Sequence, residues 1–135
     1  MAGENFMLKD RYGLELSTNS SVARDAYVEA VDAVLSATGD AEALLKKGID
    51  ADPEFALNHA VYARVQQLSG RMAEAKASGE RGVKLAKKAT DREKQHAQIF
   101  QLLTSGQGPK GLELIQSHVQ QHKLDAFALA PACSV

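Results

Sequence analysis

The sequence predicts an all-α fold built from antiparallel helical hairpins stacked on one another. Apolar residues recur at three- and four-residue steps in six successive segments, the pattern of helices with one buried face. Short turns separate these segments, so neighbouring helices must fold back on each other. No segment shows sustained strand alternation, and with aromatics at 5% and no Trp the core must be aliphatic and alanine-rich.

Residues 1–21 form a mixed N-terminal extension ending in the polar, cap-rich "STNSS". The first hairpin spans about 22–52. Its first helix presents Ala23, Ala26, Tyr27, Ala30, Val31, Val34 and Leu35 on one face. "TGD" stops it: Gly39 suits a left-handed C-terminal cap and Asp40 can cap the second helix, about 41–51, which buries Leu44, Leu45 and Ile49.

The second hairpin spans about 53–89. Asp52 suits an N-cap and Pro53 the first helical position, so a third helix is expected from about 54 to 68, ended by Gly70. In the fourth helix Met72, Ala75, Gly79, Gly82, Ala86 and Ala89 form one face of small residues. Gly79 and Gly82 each cost about 1 kcal/mol relative to alanine there, so close packing of another backbone must offset them, and Gly82→Leu should overpack.

The third hairpin spans about 90–124. "TDRE" reads as a capping box between Thr90 and Glu93. The fifth helix, about 91–104, carries Ala97, Ile99, Phe100, Leu102 and Leu103. "SGQGP" breaks the chain with Pro109 placed at a helix start, and the sixth helix buries Leu112, Ile115 and Val119. After "HKLD", residues 125–135 begin an incomplete seventh helix.

The totals exclude several function classes. Sixteen basic against seventeen acidic residues give a net charge of -1, with no footprint for nucleic acid or an anionic membrane. No apolar run approaches the roughly 20 residues of a membrane span. One cysteine, Cys133, rules out an internal disulfide framework and a Cys-rich zinc site. With no signal peptide visible, a cytoplasmic location is expected, and the "NSS" sequon at Asn19 carries little weight.

Gly39, Gly70 and Gly106 lie 31 and 36 residues apart, bracketing the roughly 34-residue period of tetratricopeptide repeats. "SGRMAEA" resembles the tetratricopeptide turn, in which Gly70 and Ala75 match a glycine five residues ahead of a small residue. Gly106 and Gly111 repeat that spacing, and Pro53 fits the proline that closes a repeat, whereas Lys87 and Lys123 stand at the other two such places. The order "DRYG", "ADPEFALNHA", "TDREKQHA" and "DAFALAPA" is similar to the N-terminal part of the family called tetratricopeptide repeat protein thirty-eight. This resemblance implies a right-handed superhelix and a truncated array, since members of that family are several-fold longer.

The resemblance also implies a concave groove, lined by Ala60, Arg64 and Gln67 of the third helix and His96 and Phe100 of the fifth. Carboxylate-clamp versions use Lys and Asn where this chain has Ala60 and Arg64, which argues against recognition of an acidic C-terminal peptide.

No residue set reads as catalytic, and no cofactor or metal is expected. The glycine-containing stretch 70–89 lacks the Gly-Lys-Ser/Thr ending of a phosphate loop and follows no strand. "HVQQH" sets His118 and His122 on one helix face, but Val119 stands where a zinc protease needs Glu, and the repeat register makes His118 a packed core residue. Cys133 lies in an apolar tail without a base. Lys84, Lys87, Lys88, Arg92 and Lys94 read as a solvated basic face, and no carboxylate pair is flagged by spacing. The expected function is therefore a non-enzymatic protein-interaction or scaffold module with a protein or peptide partner. Because repeat arrays need a polar end cap and "AFALAPACSV" is apolar, a homodimer through the C-terminal helix is expected, with Phe127, Leu129 and Val135 at the contact. The alternative is the N-terminal arm of a larger enzyme or multidomain protein whose active site lies outside this chain.

Overall fold

Residues 7–133 are described by the computed structural model. Among them, seven helices follow a short ribbon: β1 Leu8–Lys9, β2 Glu15–Leu16, α1 Ser21–Ser36, α2 Ala41–Ala51, α3 Ala56–Leu68, α4 Met72–Ala86, α5 Asp91–Thr104, α6 Gly108–Gln121 and α7 Ala126–Cys133. The all-α class and the order of helices match the sequence expectation.

The ribbon was not expected. Leu8 pairs with Leu16 and Lys9 with Glu15 in antiparallel register. Two pairs are too few to show strand alternation. The turn between them is organised by Asp10, whose carboxylate accepts the N–H groups of Tyr12 (2.9 Å) and Leu14 (3.0 Å).

Three helix starts are set by side-chain caps, whereas α3, α4 and α6 begin without one. Ser20 caps α1 by accepting from Ala23, Asp40 caps α2 by accepting from Ala43, and Thr90 with Glu93 forms the expected capping box on α5. Two boundaries differ from expectation. The left-handed cap of α1 falls on Ala37 (φ 56°), where the N–H of Thr38 reaches the carbonyl of Ala33 at 2.9 Å; Gly39 (φ 72°) serves the turn beyond. Asp52 is the C-cap of α2 rather than the N-cap of α3, and Pro53 lies in the intervening turn. Asp52 turns its carboxylate to the N–H of Glu54, so α3 begins at Ala56.

Each helix packs on its successor, and α3 also packs on α5. The main core among the described residues runs from Leu16 and Tyr27 through Leu45, Phe55, Leu57 and Val61 to Ile99, Phe100, Ile115 and Phe127, and a smaller cluster gathers Ala56, Ala86 and Ala97. Helix α4 is clasped between α3 and α5 as its small residues require. A Cβ on Gly79 would lie 3.1 Å from the Cα of Gln101, and one on Gly82 3.4 Å from the backbone N of Ala60. Ala75 and Ala86 are buried with these glycines, but Met72 at the start of the same face is exposed and Ala89 half-buried, because the helix ends at Ala86. Helix α7 continues across Pro131 and packs on α6 and α1.

Candidate functional site

The inward faces of α5 and α6 carry charged and polar residues among apolar ones. Arg92 and His96 stand four apart on α5, so both point the same way. His118 does the same on α6, one turn beyond Ile115. All three converge on Asp125, the residue before α7. Its Oδ2 accepts from Arg92 Nη1 at 3.1 Å, His96 Nδ1 at 3.1 Å and His118 Nε2 at 2.8 Å. A carboxylate only accepts, so each of these nitrogens carries the hydrogen.

Asp125 is 4% exposed, Arg92 6% and both histidines 0%. Burial alone would raise the Asp125 pKa. The field of His96, the hydrogen bonds from His118 and His96, and the Arg92 charge outweigh it and hold the carboxyl far below its ordinary range. The Nδ1 of His118 lies 2.7 Å from the Gln95 side-chain amide. The ring of His96 stacks on Phe127 (6.0 Å between centroids, 5° between planes) and tilts against Phe100 at 5.2 Å.

The same end of α5 holds the N-terminal segment. Arg92 Nη2 donates to the carbonyl of Glu15 at 2.9 Å. The fully buried Glu93 accepts the Ser17 N–H on Oε2 (3.0 Å) and the Ser17 hydroxyl on Oε1 (2.5 Å), beside the N–H and hydroxyl of Thr90. Thr18 donates its hydroxyl to Asp52 Oδ2 at 2.5 Å. One helical turn of α5 thus fastens both the N-terminal ribbon and α7.

The expected groove residues are placed differently. Ala60, His96 and Phe100 are 0% exposed and belong to the core rather than to an open concave surface. Phe127 packs against both His96 and Phe100, at 6.0 and 5.1 Å between ring centroids. Arg64 and Gln67 are half-buried and bonded to each other (2.8 Å), with Gln67 also donating to the Leu103 carbonyl. Burial pushes the Arg64 guanidinium down from its ordinary value. Of the expected self-association residues, Phe127 is 3% exposed and already stacked internally, Leu129 is 37% exposed, and Val135 lies outside the described residues. Arg92 leaves the basic face for the interior, whereas Lys84, Lys87, Lys88 and Lys94 are exposed.

The hydrogens on the three donors that meet Asp125 are committed to its carboxylate. The cleft between Asp125, Phe127, Tyr27 and Asp10 has a volume of about 10 Å³, room for one water. Among the described residues, His96 Nε2 and both side-chain amide atoms of Asn58 are buried without a hydrogen-bond partner, while His96 Nδ1 is held by Asp125. Among the described residues no group of three or more His, Cys, Asp or Glu has a metal-holding arrangement.

Asp125 and Glu93 escaped sequence reasoning as inward carboxylates. A signal existed: Arg92, His96 and His118 fall among core positions, and buried donors of this kind require an acceptor. Comparison with protein-family models, curated proteins and solved structures finds no match.

Proposed function

We propose that the chain is a non-enzymatic interaction module of tetratricopeptide type that self-associates through α7. The hairpin order supports this reading, as do the turns: Gly70 and Gly106 both adopt φ +78°, and Ala75 and Gly111, five residues after each, are buried. The observation that carries it is the two-sidedness of the C-terminal helix. Phe127 and Ala128 of α7 are anchored inside while Leu129 (37% exposed) faces outward, as does Leu124 (57% exposed) in the turn that leads into the helix.

In this reading the outward leucines meet those of a second copy, giving a homodimer. No described helix is long and apolar enough to cross a membrane, and a protein surface is the natural contact for these leucines. A cytoplasmic location belongs to the same reading; the single cysteine of the sequence cannot close a disulfide within the chain. Light scattering at tens of micromolar tests it: a dimer mass is expected for the unmodified chain and a monomer mass for Leu124→Glu/Leu129→Glu. A strictly monomeric unmodified chain would overturn the proposal.

A further inference from the structure

The segment Glu15–Thr18 is held in the way a receptor holds an extended peptide. Arg92 takes the main-chain carbonyl of Glu15, and Leu16 is 0% exposed in the core. Ser17 places its N–H and its hydroxyl on the two oxygens of one carboxylate, Glu93, and Thr18 reaches Asp52. The receiving groups lie on α5 and at the end of α2, which α3 and α4 hold together independently of the segment. The segment's own structure is only a two-pair ribbon, which is not stable alone in water. Its remaining ties are peripheral: the Arg11–Asp32 ion pair and a 3.3 Å bond from Arg24 to the Lys9 carbonyl.

We propose that Asp52, Arg92 and Glu93 form a recognition site for an extended segment of a partner protein with the order apolar residue, Ser/Thr, Ser/Thr, which Leu16-Ser17-Thr18 occupies in cis. The chemistry sets the selectivity. Two oxygens of one carboxylate require an N–H and a hydroxyl from the same residue, which Ser and Thr supply and which Ala and Pro do not. A phosphorylated residue there brings negative charge against Glu93 and is refused. In an empty site water replaces Ser17 on Glu93, so the two hydrogen bonds act mainly through their geometry, as selectivity for the residue that supplies both donors. The cis segment competes at the high effective concentration that tethering gives, and a partner gains entry when that segment is weakened.

This inference deepens the interaction-module reading. Its test is separate from the dimer test: failure of α7 to self-associate leaves the following titration unaffected. The probe is a fluorescent synthetic peptide with the sequence of residues 8–18, titrated into the full chain. Leu16→Asp and Ser17→Asp both unseat the cis segment and leave the receiving residues intact. Both variants should bind the peptide, and the unmodified chain should bind it at least about tenfold more weakly. A peptide with Ala in place of Ser17 should lose at least about tenfold in affinity. If a variant loses helical circular dichroism, added peptide should restore it. Helical variants that ignore the peptide, unfolded variants that it fails to rescue, or equal binding of a scrambled peptide would each overturn the proposal.

Discussion

Asp125 is the residue on which the interior electrostatics turn. It neutralises Arg92, and both side chains are more than nine-tenths buried. Asp125→Asn leaves Arg92 as an uncompensated internal cation, and removal of one partner of such a pair costs about 3–5 kcal/mol. Chemical denaturation should show that loss. The pH dependence follows from three groups. Burial pushes His59 below its ordinary value, and burial followed by the neighbouring His118 and Arg92 does the same for His122. The unfolded chain therefore takes up these protons first, and their contribution, complete above about pH 7, begins to fall as pH drops through about 6.5. The depressed Asp125 carboxyl adds a second loss below about pH 4 by the same sign. A melting temperature that stays flat from pH 7 to pH 4 would contradict the lowered pKa of His59 and His122. Ala37 offers the opposite case. Its left-handed conformation (φ 56°) strains a residue with a Cβ, so Ala37→Gly should stabilise the chain by about 0.5–1 kcal/mol.

At the scale of the element, α4 shows how small residues set the spacing of neighbours. Both of its internal glycines face a backbone, but at different distances. A Cβ on Gly79 would meet Thr104 Oγ1 at 2.7 Å and the Gln101 Cα at 3.1 Å, so α5 must shift. A Cβ on Gly82 would lie at 3.4–3.7 Å from Ala60 and Ala56, an ordinary contact. Gly82→Ala should therefore be neutral or stabilising by up to about 1 kcal/mol through helix propensity. Gly79→Ala should destabilise by about 1–3 kcal/mol through overpacking. Gly82→Leu should also destabilise, because the additional carbons run into the α3 backbone. Thermal melts of the three variants rank the contacts directly, and equal effects at the two alanine sites would show that α4 is not clasped as described.

For the molecule as a whole, legibility in the sequence followed the range of the interactions. Helix order, the capping box at Thr90 and the small-residue face of α4 depend on neighbours within a turn or two, and periodicity exposes them. The displaced start of α3 depends on Asp52 choosing among the Glu54 N–H, Thr18 and an α3 amide, a choice that tertiary contact decides. Asp125 and Glu93 were legible only as a helix-break residue and a cap, since their tertiary partners lie 29 to 76 positions away or on another helix. The groove expected at His96 and Phe100 is covered by Phe127 of α7, a residue that repeat register alone does not place. The central claim is that the interior turn of α5 fastens both ends, through Asp125 to α7 and through Arg92 and Glu93 to the ribbon. Hydrogen exchange on the Asp125→Asn variant tests it most directly. The amides of α7 should lose protection relative to the unmodified chain while those of α3 and α4 keep theirs; unchanged protection across α7 would contradict the claim.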